Sequence, residues 1–255
     1  MRRLHHPLAV LLFTTILGGC GPEELEEQRG VEPGELSLSK QELSYSTGGS
    51  WASPNAATPL APTSDRTCFF TRMGGAFDSS GDSIRIAALR ERWHVDGTGS
   101  TRASAGCATL PGDTDYSTAY DWTEGQPQPT NLGSTHGRVC FLTRVGGSFN
   151  HATDWIGVYQ SGGAWFLSGA SQARNGSARA RCVTVGAYSG EYSWHQDHPN
   201  ATYLGRVGNR VCALTYMAGQ FDGSSEFVQV SKAAGHWYLS GGSARSGVAA
   251  KVRCF

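Results

Sequence analysis

Two pairs of cations occupy matching places in this chain: Arg179 and Arg181 flank Ala180, and Lys251 and Arg253 flank Val252. Residues two apart on a strand share a face, so each pair projects from one side. Aromatic residues fall on the same expected side of nearby segments: Trp155, Tyr159 and Phe166 with the first pair, Phe227 and Tyr238 with the second. Rings beside cations suit a neutral or anionic saccharide. The C–H face of a sugar lies on a ring, and the cations donate charge-assisted hydrogen bonds to its oxygens. The competing use of such a face is packing between parts of the same protein, which would consume the rings and cations internally.

Reactive chemistry finds less support. No Gly-x-Ser-x-Gly, His-Glu-x-x-His or Gly-rich phosphate loop occurs. Ser37 and Lys40 match Ser-x-x-Lys, but nothing around them would hold the pair in place. His195, Asp197 and His198 offer a partial metal-ligand set without further ligands and read as a solvated loop. Asp113 and Asp115 read as ordinary turn residues rather than calcium ligands. The expectation is a protein with no catalytic residues, no metal and no cofactor.

The elements that must position the rings and cations come from a repeat. Tyr45, Trp51, Cys68, Trp93 and Cys107 return as Tyr116, Trp122, Cys140, Trp165 and Cys182, then as Tyr188, Trp194, Cys212, Trp237 and Cys254. The first cysteines of successive repeats lie 72 residues apart. Segments such as 138–145, 154–160, 164–168 and 177–183 are rich in β-branched and aromatic residues and separated by Gly, Ser and Asn. They predict four antiparallel strands per repeat, with a fifth upstream at Tyr116–Trp122. No segment after the N-terminal apolar run carries a helical period.

Alternation puts Cys140, Leu142, Ile156, Val158, Trp165, Leu167, Ala180 and Cys182 on one core face, with equivalents in the other repeats. The tryptophans at 93, 165 and 237 are read as packing residues, and Gly97, Gly169 and Gly241 as turn or bulge positions. The Tyr45, Tyr116 and Tyr188 set with Trp51, Trp122 and Trp194 is read as a structural staple in preference to a sugar platform. The repeat pairs Cys68 with Cys107, Cys140 with Cys182 and Cys212 with Cys254. Closing loops of this size is worth about 4 kcal/mol each, which would make each repeat stable by itself.

Ahead of the repeats, Arg2 and Arg3 precede an apolar run from Leu8 to Leu17, then Leu17-Gly18-Gly19-Cys20. The run is too short for a membrane-spanning helix and matches the core of an export signal. Leu-Gly-Gly-Cys resembles the lipobox of bacterial lipoproteins, a resemblance confined to residues 1–20. It implies cleavage before Cys20, acylation of that cysteine and anchoring in a membrane, with Gly21 favouring the outer membrane. Residues 20–43 hold seven Glu against one Arg and one Lys and read as an acidic, solvated tether. Charge divides as +2 in the signal, −5 in the tether and +3 from residue 44 onward, for a net of zero. A surplus of three is too weak to imply nucleic acid as a partner.

The expected protein is all-β. A signal (1–19) and tether (20–43) precede three disulfide-closed antiparallel units at 44–110, 111–185 and 186–255, arranged around a pseudo-threefold axis. Its expected work is multivalent binding of a carbohydrate or other envelope polymer. The alternatives are a structural or protein-interaction lipoprotein and, less favoured, a hydrolase with a site assembled across repeats.

Overall fold

The computed structural model describes residues 43–64, 66–110, 116, 118–198 and 200–255, and builds eighteen strands from them. Cys20, the tether, Ser37, Lys40, Asp113 and Asp115 lie outside the described residues. No described helix is long and apolar enough to cross a membrane.

Each repeat supplies six strands rather than the four or five expected. The first gives β1 (Ser44–Ala52), β2 (Thr58–Pro62), β3 (Thr67–Ala76), β4 (Ser83–Leu89), β5 (Arg92–Thr98) and β6 (Ser100–Thr109). The second gives β7 (Ala119–Thr123), β8 (Thr130–Ser134), β9 (Arg138–Gly146), β10 (Trp155–Ser161), β11 (Ala164–Ala170) and β12 (Ser177–Thr184). The third gives β13 (Tyr192–His195), β14 (Thr202–Arg206), β15 (Cys212–Ala218), β16 (Phe227–Ala233), β17 (His236–Gly242) and β18 (Ala249–Cys254). Strands β2, β8 and β14 are five residues each, with Pro or Gly inside, and leave almost no alternation to read.

The six strands of a repeat divide between two sheets. The first sheet runs β1-β6-β3-β16-β17-β14, the second β2-β5-β4-β9-β12-β7, and the third β13-β18-β15-β10-β11-β8. Every sheet is therefore half from one repeat and half from another, in a cycle. The joins are short: Arg72–Gly74 pairs with Phe227–Gln229, Arg144–Gly146 with Ser83–Arg85, and Tyr216–Ala218 with Trp155–Gly157. The repeats therefore pair across their boundaries, and none forms a sheet of its own. Gln41–Phe255 form one compact unit.

The predicted core faces are buried in all three repeats, from Cys68, Phe70 and Ile84 to Val252 and Cys254. The three disulfides join the expected partners and fit an oxidising, extracytoplasmic compartment. Trp93, Trp165 and Trp237 each donate from the indole N–H to the carbonyl two residues before their own first cysteine, at 2.9, 2.9 and 3.0 Å. A buried indole thereby keeps its hydrogen bond.

Gly97, Gly169 and Gly241 are neither turn nor bulge positions. They lie within β5, β11 and β17, where an added Cβ would sit 2.8, 2.9 and 2.3 Å from the rings of Trp51, Trp122 and Trp194. The bare backbone makes room for the indole. Between the two disulfide-linked strands of each repeat a bulge falls instead at Thr71, Thr143 and Thr215, each an extra residue against its partner strand. Such an insertion reverses the alternation beyond it.

Around the pseudo-axis, backbone hydrogen bonds close a ring. Phe77 N–H donates to Phe221 O at 2.5 Å, Phe221 to Phe149 at 2.6 Å, and Phe149 to Phe77 at 2.7 Å. Gly75, Gly147 and Gly219 enter this ring with φ of 91°, 106° and 105° and donate to the carbonyls of Glu226, Asp82 and Asp154. That left-handed backbone costs a side chain about 1–2 kcal/mol, so glycine holds all three places.

Candidate functional site

The predicted binding residues separate according to which sheet holds them. Trp155, Tyr159 and Phe166 lie on β10 and β11 of the third sheet, while Arg179 and Arg181 lie on β12 of the second. Phe227 and Tyr238 are in the first sheet, and Lys251 and Arg253 in the third. Grouping each ring set with the cations of its own repeat is therefore corrected. The division of a repeat between two sheets takes Arg179 away from Trp155 and brings Lys251 of the next repeat to it.

The resulting cluster is an aromatic groove on the third sheet. Trp155 stacks on Tyr216 with ring centres 5.8 Å apart and planes 24° from parallel, and Tyr159 stacks on Phe166 at 5.8 Å and 27°. Past the Thr215 bulge, Tyr216 stands directly opposite Lys251 across β15 and β18. Lys251 Nζ lies 5.2 Å from the Tyr216 ring centre and 2.7 Å from Glu191 Oε1. Trp155, Val158, Tyr159, Tyr216 and Lys251 line an open groove of about 270 Å³. Burial, with a smaller contribution from Glu191, pushes the Tyr216 phenol above its ordinary pKa, so the hydroxyl remains a neutral donor and acceptor. Flat rings, one ammonium, one carboxylate and a phenol can hold a sugar face and its hydroxyls together.

Tyr216 escaped the sequence reading for an identifiable reason. Counting in twos from Cys212 through Leu214 puts residue 216 on the core face, but the bulge at Thr215 turns it outward. The repeated threonine at 71, 143 and 215 was the available signal.

Arg181 and Arg253 sit in seams between repeats. Tyr116 packs edge-on against Trp93 with ring centres 4.9 Å apart, and the Arg181 guanidinium lies 5.0 and 5.4 Å from the two rings. Arg253 takes the same place over Trp165 and Tyr188, at 5.0 and 5.7 Å, and donates to Ser189 O and Gln160 Oε1. Gly106 stands at the equivalent place in the first repeat, where Tyr45 occupies the space. The cation there is Lys232, 3.5 Å from the Tyr45 ring centre and 4.4 Å from that of Trp237. Burial lowers the pKa of both Lys232 and Arg181. In each seam a cation closes a Tyr–Trp pair contributed by two repeats.

The remaining predicted residues sit on faces of different character. On the second sheet Arg179 makes a bidentate pair with Asp121, Nε and Nη2 both at 2.8 Å, and Arg85 pairs with Asp96 at 2.6 and 3.1 Å. The hydrogen bond from Arg179 holds the Asp121 carboxyl below its ordinary pKa. A depressed carboxylate contributes stability above its unfolded pKa, and that contribution disappears as pH falls through the lower folded value. On the first sheet Phe227 lies under Arg72, and Tyr238 meets Tyr203 edge-on.

His195 and Asp197 approach to 3.7 Å and the rings of His195 and His198 to 3.9 Å. Among the described residues no group of three or more His, Cys, Asp or Glu is placed to hold a metal ion. Buried Asp82 and Asp154 accept backbone N–H bonds that shape their turns, at 2.7–3.0 Å. Their recurrence 72 residues apart went unread in the sequence. No protein-family model matches the chain, and no curated protein matches it.

Proposed function

We propose that the chain is a lipid-anchored, extracytoplasmic binding protein whose third-sheet groove takes a saccharide unit of an envelope or extracellular polymer. The observation that carries this reading is the pair of ring stacks, Trp155 on Tyr216 and Tyr159 on Phe166, left partly open to solvent beside Lys251. The seams consume Tyr45, Tyr116 and Tyr188 with Trp93, Trp165 and Trp237, and the axis consumes Phe77, Phe149 and Phe221; this group belongs to neither. A solvent-facing apolar platform with polar groups at its edge is the usual form of a sugar site. The pseudo-equivalent faces carry other chemistry, so the three-site avidity expected from the repeat is replaced by one saccharide groove.

Screening the full-length protein on a glycan array and then titrating the best ligand tests the site. Trp155→Ala is expected to weaken binding by about 1–3 kcal/mol, roughly five- to 150-fold, with the fold retained. Arg179→Ala, on another sheet, is expected to leave affinity unchanged. An empty array, or equal affinity for Trp155→Ala and the parent, would remove the proposal.

The anchor rests on the Leu17-Gly-Gly-Cys20 run after a short apolar segment. Cys20→Ala is expected to shift the protein from the membrane to the soluble fraction. An unmodified thiol at residue 20 in the mature protein, read by mass spectrometry, would end this part of the reading.

A further inference from the structure

The first sheet carries a groove of about 320 Å³ lined by Ser50, Trp51, Asn55, Arg72, Arg102 and Ser104. Its two arginines are held from behind. Arg72 lies with its guanidinium 4.0 Å from the Phe227 ring centre and donates from Nη1 to Gln229 Oε1 at 3.2 Å, while Arg102 donates from Nη2 to the Ser224 carbonyl. Neither has an Asp or Glu ion-pair partner among the described residues. Arg72 Nε is buried without an acceptor. The charge of Arg102 adds to burial in lowering the Arg72 pKa, so the two cations act on one another.

The pseudo-symmetry supplies an internal comparison. On the second sheet Arg85 pairs with Asp96 and Arg179 with Asp121, and the equivalent pairs in the first sheet are Gln229 with Ser240 and Ser104 with Ser50. Both ion pairs have become pairs of neutral polar residues. Ser50 Oγ lies 2.8 Å from Ser104 Oγ, and Ser240 Oγ accepts from Gln229 at 3.3 Å. The first-sheet face thus carries no carboxylate at these places, while Arg72 and Arg102 stand there beside small donors. Like charges sharing a groove repel, and an anion between them converts that cost into two charge-assisted contacts.

We propose that the groove between Arg72 and Arg102 binds an oxyanion, either a free inorganic ion or the carboxylate of an acidic sugar. Guanidinium groups present paired N–H donors that match the oxygens of carboxylate and sulfate, and the serine hydroxyls add further donors. This site is on a different sheet from the saccharide groove and stands independently of it.

Calorimetric titration of the full-length protein at constant ionic strength, with sodium sulfate, D-glucuronate and neutral D-glucose as probes, tests the assignment. Saturable binding of an oxyanion, absent for glucose, is expected. Ser50→Asp restores a carboxylate at the place of Asp121 and is expected to weaken oxyanion binding about tenfold or more. Arg102→Ala, which removes a half-buried side chain at the groove, gives a second and independent reading with the same expected loss. Binding of both sulfate and glucuronate would support a site for the oxyanion itself, and binding of glucuronate alone a site for a carboxylated sugar. No saturable binding of either, or unchanged affinity in folded Ser50→Asp or Arg102→Ala protein, would overturn it.

Discussion

Phe149→Ala is expected to destabilise the protein by about 3–5 kcal/mol and to unfold all three repeats in a single transition. The side chain is fully buried, its ring centre stands 5.7 Å from that of Phe77, and its backbone links Phe77 to Phe221. Removing the ring leaves a cavity between three repeats at once, where no single repeat can relax to fill it. Because each sheet is half from one repeat and half from another, loss of the second repeat also strips partner strands from the first and third. Urea unfolding followed by tryptophan fluorescence, with peptide-level hydrogen exchange in each repeat, gives the measurement. One transition with equal loss of protection in all repeats is the expected result. A residual transition from the first or third repeat would mean that the repeats are separate modules after all.

The sequence made the repeat's interior legible and its long-range pairing illegible, for different physical reasons. Cys140, Leu142, Trp165 and Leu167 could be assigned to one face because burial on one side imposes a period of two, and the same offsets in three copies removed the ambiguity. Partner choice across repeats leaves no such mark. Arg144 paired with Arg85 looks the same in sequence as any strand residue with any other. The site was half legible for the same reason. Trp155, Tyr159, Phe166 and Lys251 were recognisable as residues off the core face, but only the cyclic exchange of strands brings Lys251 beside Trp155. Arg181 and Arg253 were also correctly placed off the core face, yet that face is covered by the Tyr–Trp pair of a seam. Alternation distinguishes the two sides of a strand and says nothing of whether water or a neighbouring repeat lies beyond.

Phe255→Ala is expected to cost about 3 kcal/mol, and Ala213→Phe introduced with it is expected to recover at least half. The argument begins from a break in the repeat. Phe69 and Phe141 follow the first cysteine of their repeats, but the third repeat has Ala213; after the second cysteine the order is Ala108, Val183 and Phe255. The structure shows why both departures occur together. Phe255 stands 6.0 Å from Phe69 and 5.7 Å from Phe141, nearly parallel to the latter, while Phe69 and Phe141 are 5.9 Å apart. The ring missing at 213 is supplied from the adjacent strand end at 255, completing a triangle of three phenyl rings. Phe255 and Val211 exchange backbone hydrogen bonds at 2.8 and 2.9 Å, which alanine preserves, so the measured loss belongs to the ring. Ala213→Phe alone should overpack the triangle and cost about 1–3 kcal/mol. The two changes together should therefore cost much less than their sum in a double-mutant cycle by urea denaturation. Additive losses would show that the ring at 255 and the alanine at 213 do not share one space, and the triangle would lose its role in closing the repeats around the axis.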